Sequence, residues 1–585
     1  NPYVIENYEI DAQGGGAAIY IGNVSKRIVI RNCTVYNATS VSAYGHAAGV
    51  EIYHTSYAFV YNLTAYDNMQ YGVFVSKSNH VRVENSLFYG VNIQGYTAGI
   101  CYVNSYYGVV ANNIVKDSTH GIWMYFSYHA KLYNNTLTGT SIEVNGGYHA
   151  DDYDIPENNT INDKPVIYVT GFRNNATLNA ENAGEVILGI ASYLTVTELN
   201  VDDVGCALLI LGSKNITVHN VTIKNSTASS IYLHLSKNIR IEDTLIDNVS
   251  LRALHMEFSH GISVHNLTVL RSRAIQSVYG YSVTDFTISS SEISGGQDGI
   301  YLKFHDSENL TMENLFVHDF TRYGIWVDAA TTSHYIENVW VSNSRVINNG
   351  YDAIRLWGVK HGNVSGNTVE GTGSNGINLG SFGEDIRVYG NKIEGMRTGV
   401  KLGSVFYCTV KGNEIYNSSN YGISLINARN NRIESNTINR TLIYGIYLGA
   451  SSRDNIIIGN YIGNSTKYGL YIYSGVTGNL IYGNLFYFNH GSSDTYDSLH
   501  IQAYDGGSNE WNNTSMGNYW HDWAVNNDTN DQNGDGIVDW PYLIDGSSGS
   551  MDHYPLKDSG VYIPEISTIW LLMVLLAVIV LWKRS

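Results

Sequence analysis

The stretch "DQNGDGIVD" sets oxygen-bearing side chains at alternate positions, Asp531, Asn533, Asp535 and Asp539, with Gly536 among them. Together with the Ile537 carbonyl they match positions 1, 3, 5, 7 and 9 of a loop that wraps one hard cation, and Gly536 allows the sharp turn. The twelfth position, where such a loop carries a bidentate Glu, is Tyr542. The expectation is a structural Ca²⁺ site completed by Asp528 or Asp545. The alternative is an Asx-rich turn that needs no metal.

A second constellation, "LHMEFSHGISVHNL", holds His255, Met256, Glu257, His260 and His265, with His234 about one repeat earlier. His234, His255 and Glu257 together suit a transition metal. No Cys or Met-rich motif supports Cu(I), so surface histidines are the plainer reading. The acidic cluster Asp151, Asp152 and Asp154 could take a cation, but a solvated acidic loop is preferred.

The third candidate is "YGIWVDAA", Tyr323 to Ala330. Ile325 and Val327 alternate with Trp326 and Asp328, the two-residue period of a half-buried strand. If the aliphatic pair faces inward, an indole and a carboxylate face outward.

The elements that must position these groups come from a repeat. GIYL at 299, GIWV at 324, AIRL at 353, GINL at 376, GVKL at 399, GISL at 422, GIYL at 445 and GLYI at 469 are versions of one unit, and from Ala353 onward its starts lie 23, 23, 23, 23 and 24 residues apart. An Asn-centred unit keeps the same pace at Asn367, Asn391, Asn413, Asn436, Asn460 and Asn484. Each period is too short for a βαβ unit and too polar for a helical hairpin. The pattern predicts an all-β, right-handed parallel β-helix of about 20 coils, equivalent residues lying one strand spacing apart. Ile377/Leu379, Val400/Leu402 and Ile423/Leu425 should fill its interior, and the Asn column should stack at an inward turn.

The register yields two outward columns. The first runs Tyr232, His255, Gln276, Tyr301, Trp326, Arg355, Asn378, Lys401, Ser424, Tyr447 and Tyr471, and the second runs His234, Glu257, Lys303, Asp328 and Trp357. Aromatic faces can bind the apolar faces of sugars while neighbouring charges bond hydroxyls or uronate carboxylates. The candidate glycan-binding set is Tyr301, Lys303, Trp326, Asp328, Arg355, Trp357 and Lys401. For catalysis the best set is Asp328 with Lys303 and Arg355, although no paired-carboxylate motif accompanies it.

The period is lost over residues 146–200, read as an irregular insertion between coils 1–145 and a main stack 201–490, followed by a cap over 491–560. Residues 561–585 contain "ISTIWLLMVLLAVIVLW", free of charge from Ile566 to Trp582 and followed by Lys583 and Arg584. This run predicts a C-terminal transmembrane helix with its end in the cytoplasm and the preceding chain outside. A net charge of −18 makes nucleic acid an unlikely partner. Cys33, Cys101, Cys206 and Cys408 form no CxxC pair, and Cys33 and Cys101, three coils apart, are beyond disulfide reach, so free thiols are expected. Sequons such as Asn23, Asn62, Asn215, Asn309, Asn464 and Asn527 agree with an outside location, or arise by chance in an Asn/Thr-rich repeat. The chain starts "NPYVIENYEI", without Met, which reads as a processed form or fragment.

Beyond Asn484 the pattern becomes "GNYWHDW…NDQNGDGIVDWPYLIDGSSGSMDHYPL". This resembles the C-terminal signature of NosD-like right-handed β-helix proteins, and "PYVIENYEIDA", "IVIRNCTVYN" and "NTINDKPVIYV" are similar to archaeal surface members. The resemblance implies an extracytoplasmic β-helix protein; NosD itself serves copper-site maturation in the periplasm, and the archaeal relatives are mostly envelope proteins. "PEIST" at Pro564–Thr568 resembles a PEF-type sorting signal, which implies archaeosortase processing, with Ile566 replacing the usual Phe. On pectate-lyase-like β-helices, which share the coil repeat, polysaccharide lies on the corresponding face.

The preferred expectation is a membrane-anchored cell-surface protein that binds envelope or external polysaccharide or glycoconjugate. The alternatives are a polysaccharide lyase, hydrolase or epimerase, a structural surface glycoprotein, and a copper-processing accessory.

Overall fold

The computed structural model describes residues 2–41, 45–90, 97–145, 147–304, 307–330, 334–524 and 531–559. They form parallel coils of short strands, about 20 turns of a right-handed β-helix, in two compact units, residues 1–350 and 351–585.

In the first unit, strands Ile19–Gly22, Ala48–Tyr53, Tyr71–Ser76, Ala98–Val103, His120–Tyr125 and Ile142–Asn145 lie parallel in one six-stranded sheet. A second run begins at Glu185–Thr197 and continues through Leu208–Leu211, Ser229–His234, Arg252–Glu257, Gln276–Tyr281 and Asp298–Lys303 to Ile325–Asp328. Residues 146–200, expected to be irregular, contain the strand pair Lys164–Asn179 and Glu185–Thr197. The segment breaks the ladder of the sheet while keeping strand structure. Its acidic side chains are partly solvated ion partners, with Asp152 2.7 Å from His129 and Asp154 3.7 Å from Lys131.

The interior is the aliphatic set that the repeat demands: Ile377, Leu379, Val400, Leu402, Ile423 and Leu425 are all fully buried. The Asn column is present in the second unit. Each amide nitrogen donates to the next Oδ1, Asn367 to Asn391 at 3.0 Å, Asn391 to Asn413 at 2.8 Å, and Asn413 to Asn436, Asn436 to Asn460 and Asn460 to Asn484 at 2.9 Å. The same Oδ1 atoms accept backbone N–H groups from the preceding coil, as Asn436 does from Asn413 at 3.0 Å. Inward turns thus keep their polar groups paired out of water. The column ends on Asn518 in the cap, where Trp520 stacks between Phe486 (4.3 Å) and Tyr542 (4.1 Å).

The four cysteines are free and buried. Asn23, Asn62, Asn215, Asn309 and Asn464 sit at bends with φ between 51° and 57°. Asn tolerates this left-handed region better than most residues, and the amides of Asn62, Asn309 and Asn464 donate to neighbouring coils at 2.7–3.0 Å. Left-handed bends thus favour Asn at these positions. No helix among the described residues is long and apolar enough to cross a membrane; the run 566–582, the "PEIST" segment, Asn527 and Asp528 lie outside them.

Candidate functional site

The outward face of the first unit carries a continuous aromatic column. In register, Tyr232 neighbours His255, His255 neighbours Tyr279, Tyr279 neighbours Tyr301, and Tyr301 neighbours Trp326. Tyr301 and Trp326 stack at 4.1 Å with planes 18° apart, and Tyr279 meets Tyr301 edge-on at 5.8 Å. One assignment changes: Tyr279 stands where the sequence pattern placed Gln276, which lies opposite Asp298. The segment "AIQS" imitates the repeat unit, but Ile275 is 46% exposed and the interior of that coil is supplied by Val278.

The second column runs Glu257, Tyr281, Lys303 and Asp328. Lys303 and Asp328 are thus brought side by side on adjacent coils. Asp328 Oδ1 accepts the Ala330 N–H at 2.9 Å, and the Tyr301 hydroxyl donates to Oδ2 at 3.5 Å. Burial, with Asp328 close by, pushes the Tyr301 phenol up, so it remains a neutral donor.

Arg355, Trp357 and Lys401 belong to the second unit. The Arg355 guanidinium lies 3.4 Å from the centre of the Trp357 ring and 3.7 Å from Asp352. Arg355 is 9% exposed, a packed cation rather than an open one. Lys401 follows it by two coils through Asn378. Further along, tyrosines stack face to face, Tyr421 on Tyr447 at 4.8 Å, Tyr444 on Tyr471 at 4.4 Å and Tyr471 on Tyr504 at 4.7 Å. Of these, the outward columns contained only Tyr447 and Tyr471.

At the other end of the first unit's column, the broken ladder opens a cleft of about 330 Å³. One wall comes from His120–Tyr125 and Ile142–Asn145, the other from Ser229–His234 and Arg252–Glu257. On the first wall His120 Nδ1 is 2.7 Å from Glu143 Oε1, and Trp123 stacks on His120 at 4.8 Å. On the second, Glu257 accepts from the Tyr232 hydroxyl at 3.0 Å and lies 2.9 Å from His255 Nε2. The walls meet where the Asn145 amide approaches the Tyr232 hydroxyl at 3.4 Å. Arg252 lies against the Tyr279 ring at 4.0 Å and places a guanidinium N–H 3.0 Å from His255.

Burial holds His255 and His234 below the usual histidine range. Burial pushes Glu257 upward, but hydrogen bonds from His255 and Tyr232 outweigh it, and Glu257 lies below the ordinary carboxylate range. Behind the first wall the ladder is closed by a side chain, since Glu185 Oε2 accepts the Ile142 N–H at 2.9 Å. Complete burial drives this carboxyl well above its ordinary value. His234, His255 and Glu257 lie on two adjacent strands, but His255 and Glu257 are bound up with Tyr232 and Arg252, while the His234 ring packs edge-on against Phe258 at 6.0 Å. Among the described residues no three His, Cys, Asp or Glu side chains are grouped to hold a metal.

In the 531–539 loop, Asp531 accepts backbone N–H groups of Gly534, Asp535 and Gly536 at 2.8, 3.1 and 3.2 Å. Asp535 accepts the Ile537 N–H and Asp539 that of Gln532. Lys557 Nζ stands 3.6 Å from Asp531. Hydrogen bonds alone can hold this turn.

Parallel coils and inward Asn ladders define a parallel β-helix protein. The chain belongs to the right-handed β-helix family: the description "Right handed beta helix region" matches residues 3–137, 184–341 and 276–383. Residues 341–524 match "Periplasmic copper-binding protein (NosD)", making the fold NosD-like. That range holds four histidines, His361, His490, His500 and His521. Its sulfur atoms are those of Met396, Cys408 and Met516. Met396 and Cys408 are buried in the interior, and burial pushes the Cys408 thiol up to about 12. His361 is tied to Asp385 at 3.0 Å.

Among solved structures, the A-module of mannuronan C-5 epimerase AlgE6 from Azotobacter vinelandii is 14% identical, with a TM-score of 0.32, over 67% of this chain and 90% of that one. A variant of the periplasmic alginate epimerase AlgG is 11% identical, with a TM-score of 0.21, over 79% and 85%. A tailspike variant of E. coli bacteriophage HK620 in complex with a hexasaccharide is 12% identical, with a TM-score of 0.30, over 82% and 72%. No curated protein matches the chain.

Proposed function

We propose that this is an extracytoplasmic β-helix protein that binds polysaccharide along the outward face of its first unit. The observation that carries the reading is the stack of Tyr301 on Trp326, continued by Tyr279 on the preceding coil. Tyr301 is 7% exposed and packs between the half-buried rings of Tyr279 and Trp326, which are the members of the column open to the C–H faces of a sugar. Lys303 and Asp328, in the adjacent column, offer a donor and an acceptor to ring hydroxyls. Asp328 is engaged by its own turn and by Tyr301, which suits an orienting group. Membrane anchoring through the apolar run before Lys583 belongs to the same proposal, and its support is the uncharged sequence 566–582.

The test is a panel of immobilised polysaccharides probed with the protein and with Trp326→Ala. Binding that the substitution removes supports the reading; a full-length protein that binds nothing across neutral and acidic glycans contradicts it.

A further inference from the structure

The cleft at the broken ladder has a different composition from the aromatic column, and that composition selects a ligand. Trp123 offers a half-buried indole, while Glu143 and Glu257 place carboxylates on the two walls. Arg252 is the one guanidinium among the residues lining the cleft. Each imidazole already engages a glutamate, His120 with Glu143 and His255 with Glu257. The cleft's volume falls at the small-molecule end of binding sites.

We infer that this cleft is a subsite for an uncharged sugar residue, a neutral hexose or an N-acetylated hexosamine, at one end of the glycan-binding face. The inference rests on the reading that this face binds polysaccharide, since Arg252 and Tyr279 link the cleft to the column. The sugar ring would lie on Trp123, its hydroxyls donating to Glu143 and Glu257 and accepting from Arg252. Carboxylates are acceptors only, which suits hydroxyl donors. A uronate would set a third carboxylate against these two, with a single guanidinium to offset them, and like charges brought together oppose binding. The acidic polysaccharides that the sequence left open for this face are therefore excluded from the cleft.

Calorimetric titration of the full chain with three probes tests the inference: a neutral hexose trisaccharide, a neutral dodecasaccharide and a trisaccharide of uronic acid. The neutral trisaccharide should bind at least about tenfold tighter than the uronate. Trp123→Ala should weaken it by about tenfold or more, whereas Trp326→Ala should weaken the dodecasaccharide more than the trisaccharide. Glu143→Gln with Glu257→Gln preserves side-chain shape, and should narrow the gap by raising uronate affinity. This pair carries the test if Trp123→Ala loosens the fold. Uronate binding as tight as the neutral sugar overturns the inference, as does binding indifferent to both Trp123 and the glutamates. If the dodecasaccharide binds and only Trp326→Ala abolishes it, the face reading stands and the cleft inference falls. If the trisaccharide binds in the cleft but the dodecasaccharide gains nothing and ignores Trp326, the cleft stands and the extended face falls. Absence of all binding overturns both.

Discussion

Tyr301 and Trp326, on neighbouring coils, lie face to face at 4.1 Å on the outward side of the sheet. The residues flanking Trp326 in its strand, Ile325 and Val327, are fully buried. This division of labour predicts different outcomes from two substitutions one residue apart. Ile325→Ala should cost about 2–5 kcal/mol, because it leaves a cavity between coils. Trp326→Ala should cost clearly less, because its indole is only partly covered. Denaturant unfolding of both variants checks this, and equal losses would mean that Trp326 is chiefly a packing residue.

The Asn ladder should be unforgiving. Asn413 donates to Asn436 Oδ1 and to the Val388 carbonyl and accepts from Asn391, all at 2.8–3.0 Å and out of water. Asn413→Ala strands those partners and should cost about 1–3 kcal/mol or more. Asn417→Gly, at an exposed bend with φ 57°, loses a donation to Glu394 without forcing a Cβ into the left-handed region and should cost much less. Comparable losses at the two sites would argue against the ladder as a stabilising element.

The cap introduces a pH dependence. Burial pushes the Asp552 carboxyl up to about 6, against the opposing hydrogen bonds from Asn518, Trp520 and Tyr554. An unfolded Asp titrates near 3.9. Between about pH 4 and pH 6 the folded chain therefore holds a proton that the unfolded chain has released. Stability from this group is present below pH 4, declines as pH rises to about 6, and is level above. Asp552→Asn should be less stable overall, since its amide meets donor groups, but it should lack this decline. Thermal melts of both forms at pH 4.5 and 7.5 decide it; parallel curves would remove Asp552 as the cause.

For the 531–539 loop we propose that Ca²⁺ would regather Asp531, Asp535 and Asp539, whose carboxylates here accept backbone N–H groups and do not share a common centre; the support is the alternate oxygens of the sequence and the left-handed Gly536 at φ 83°. Saturating Ca²⁺ should raise the melting temperature by roughly 2–4 °C, reversibly with EDTA, and Asp531→Ala should abolish the response. A melting temperature indifferent to Ca²⁺ would leave an Asx-bonded turn as the whole account.

Much of the architecture was legible because a 23-residue period repeats the same physical demand. Ile377/Leu379 and their successors face inward, and the Asn column from Asn367 to Asn484 stacks as expected. Tyr301, Lys303, Trp326 and Asp328 fall together for the same reason. The Gln276 assignment failed where "AIQS" mimicked the unit, and Tyr279 was missed with it. The cleft was hidden more deeply, since its walls lie on either side of the segment where the period is lost. Asn145 and Tyr232, which close it, are 87 residues apart. A signal did exist: extending the outward column back through "GIWM" at 121 reaches Trp123, with Glu143 beside it on the next coil. Burial of Glu185 in place of a strand partner has no pattern that a sequence could display.

The central claim is that the outward face of the first unit binds a polysaccharide chain. Its most direct test is calorimetric titration of the wild type, Tyr279→Ala and Trp326→Ala with the polysaccharide that binds best in the panel, after each variant's melt shows it folded. The account predicts that each substitution weakens binding by about tenfold, since losing one stacked aromatic contact is worth about 1 kcal/mol or more. Folded variants that bind as tightly as the wild type would contradict it.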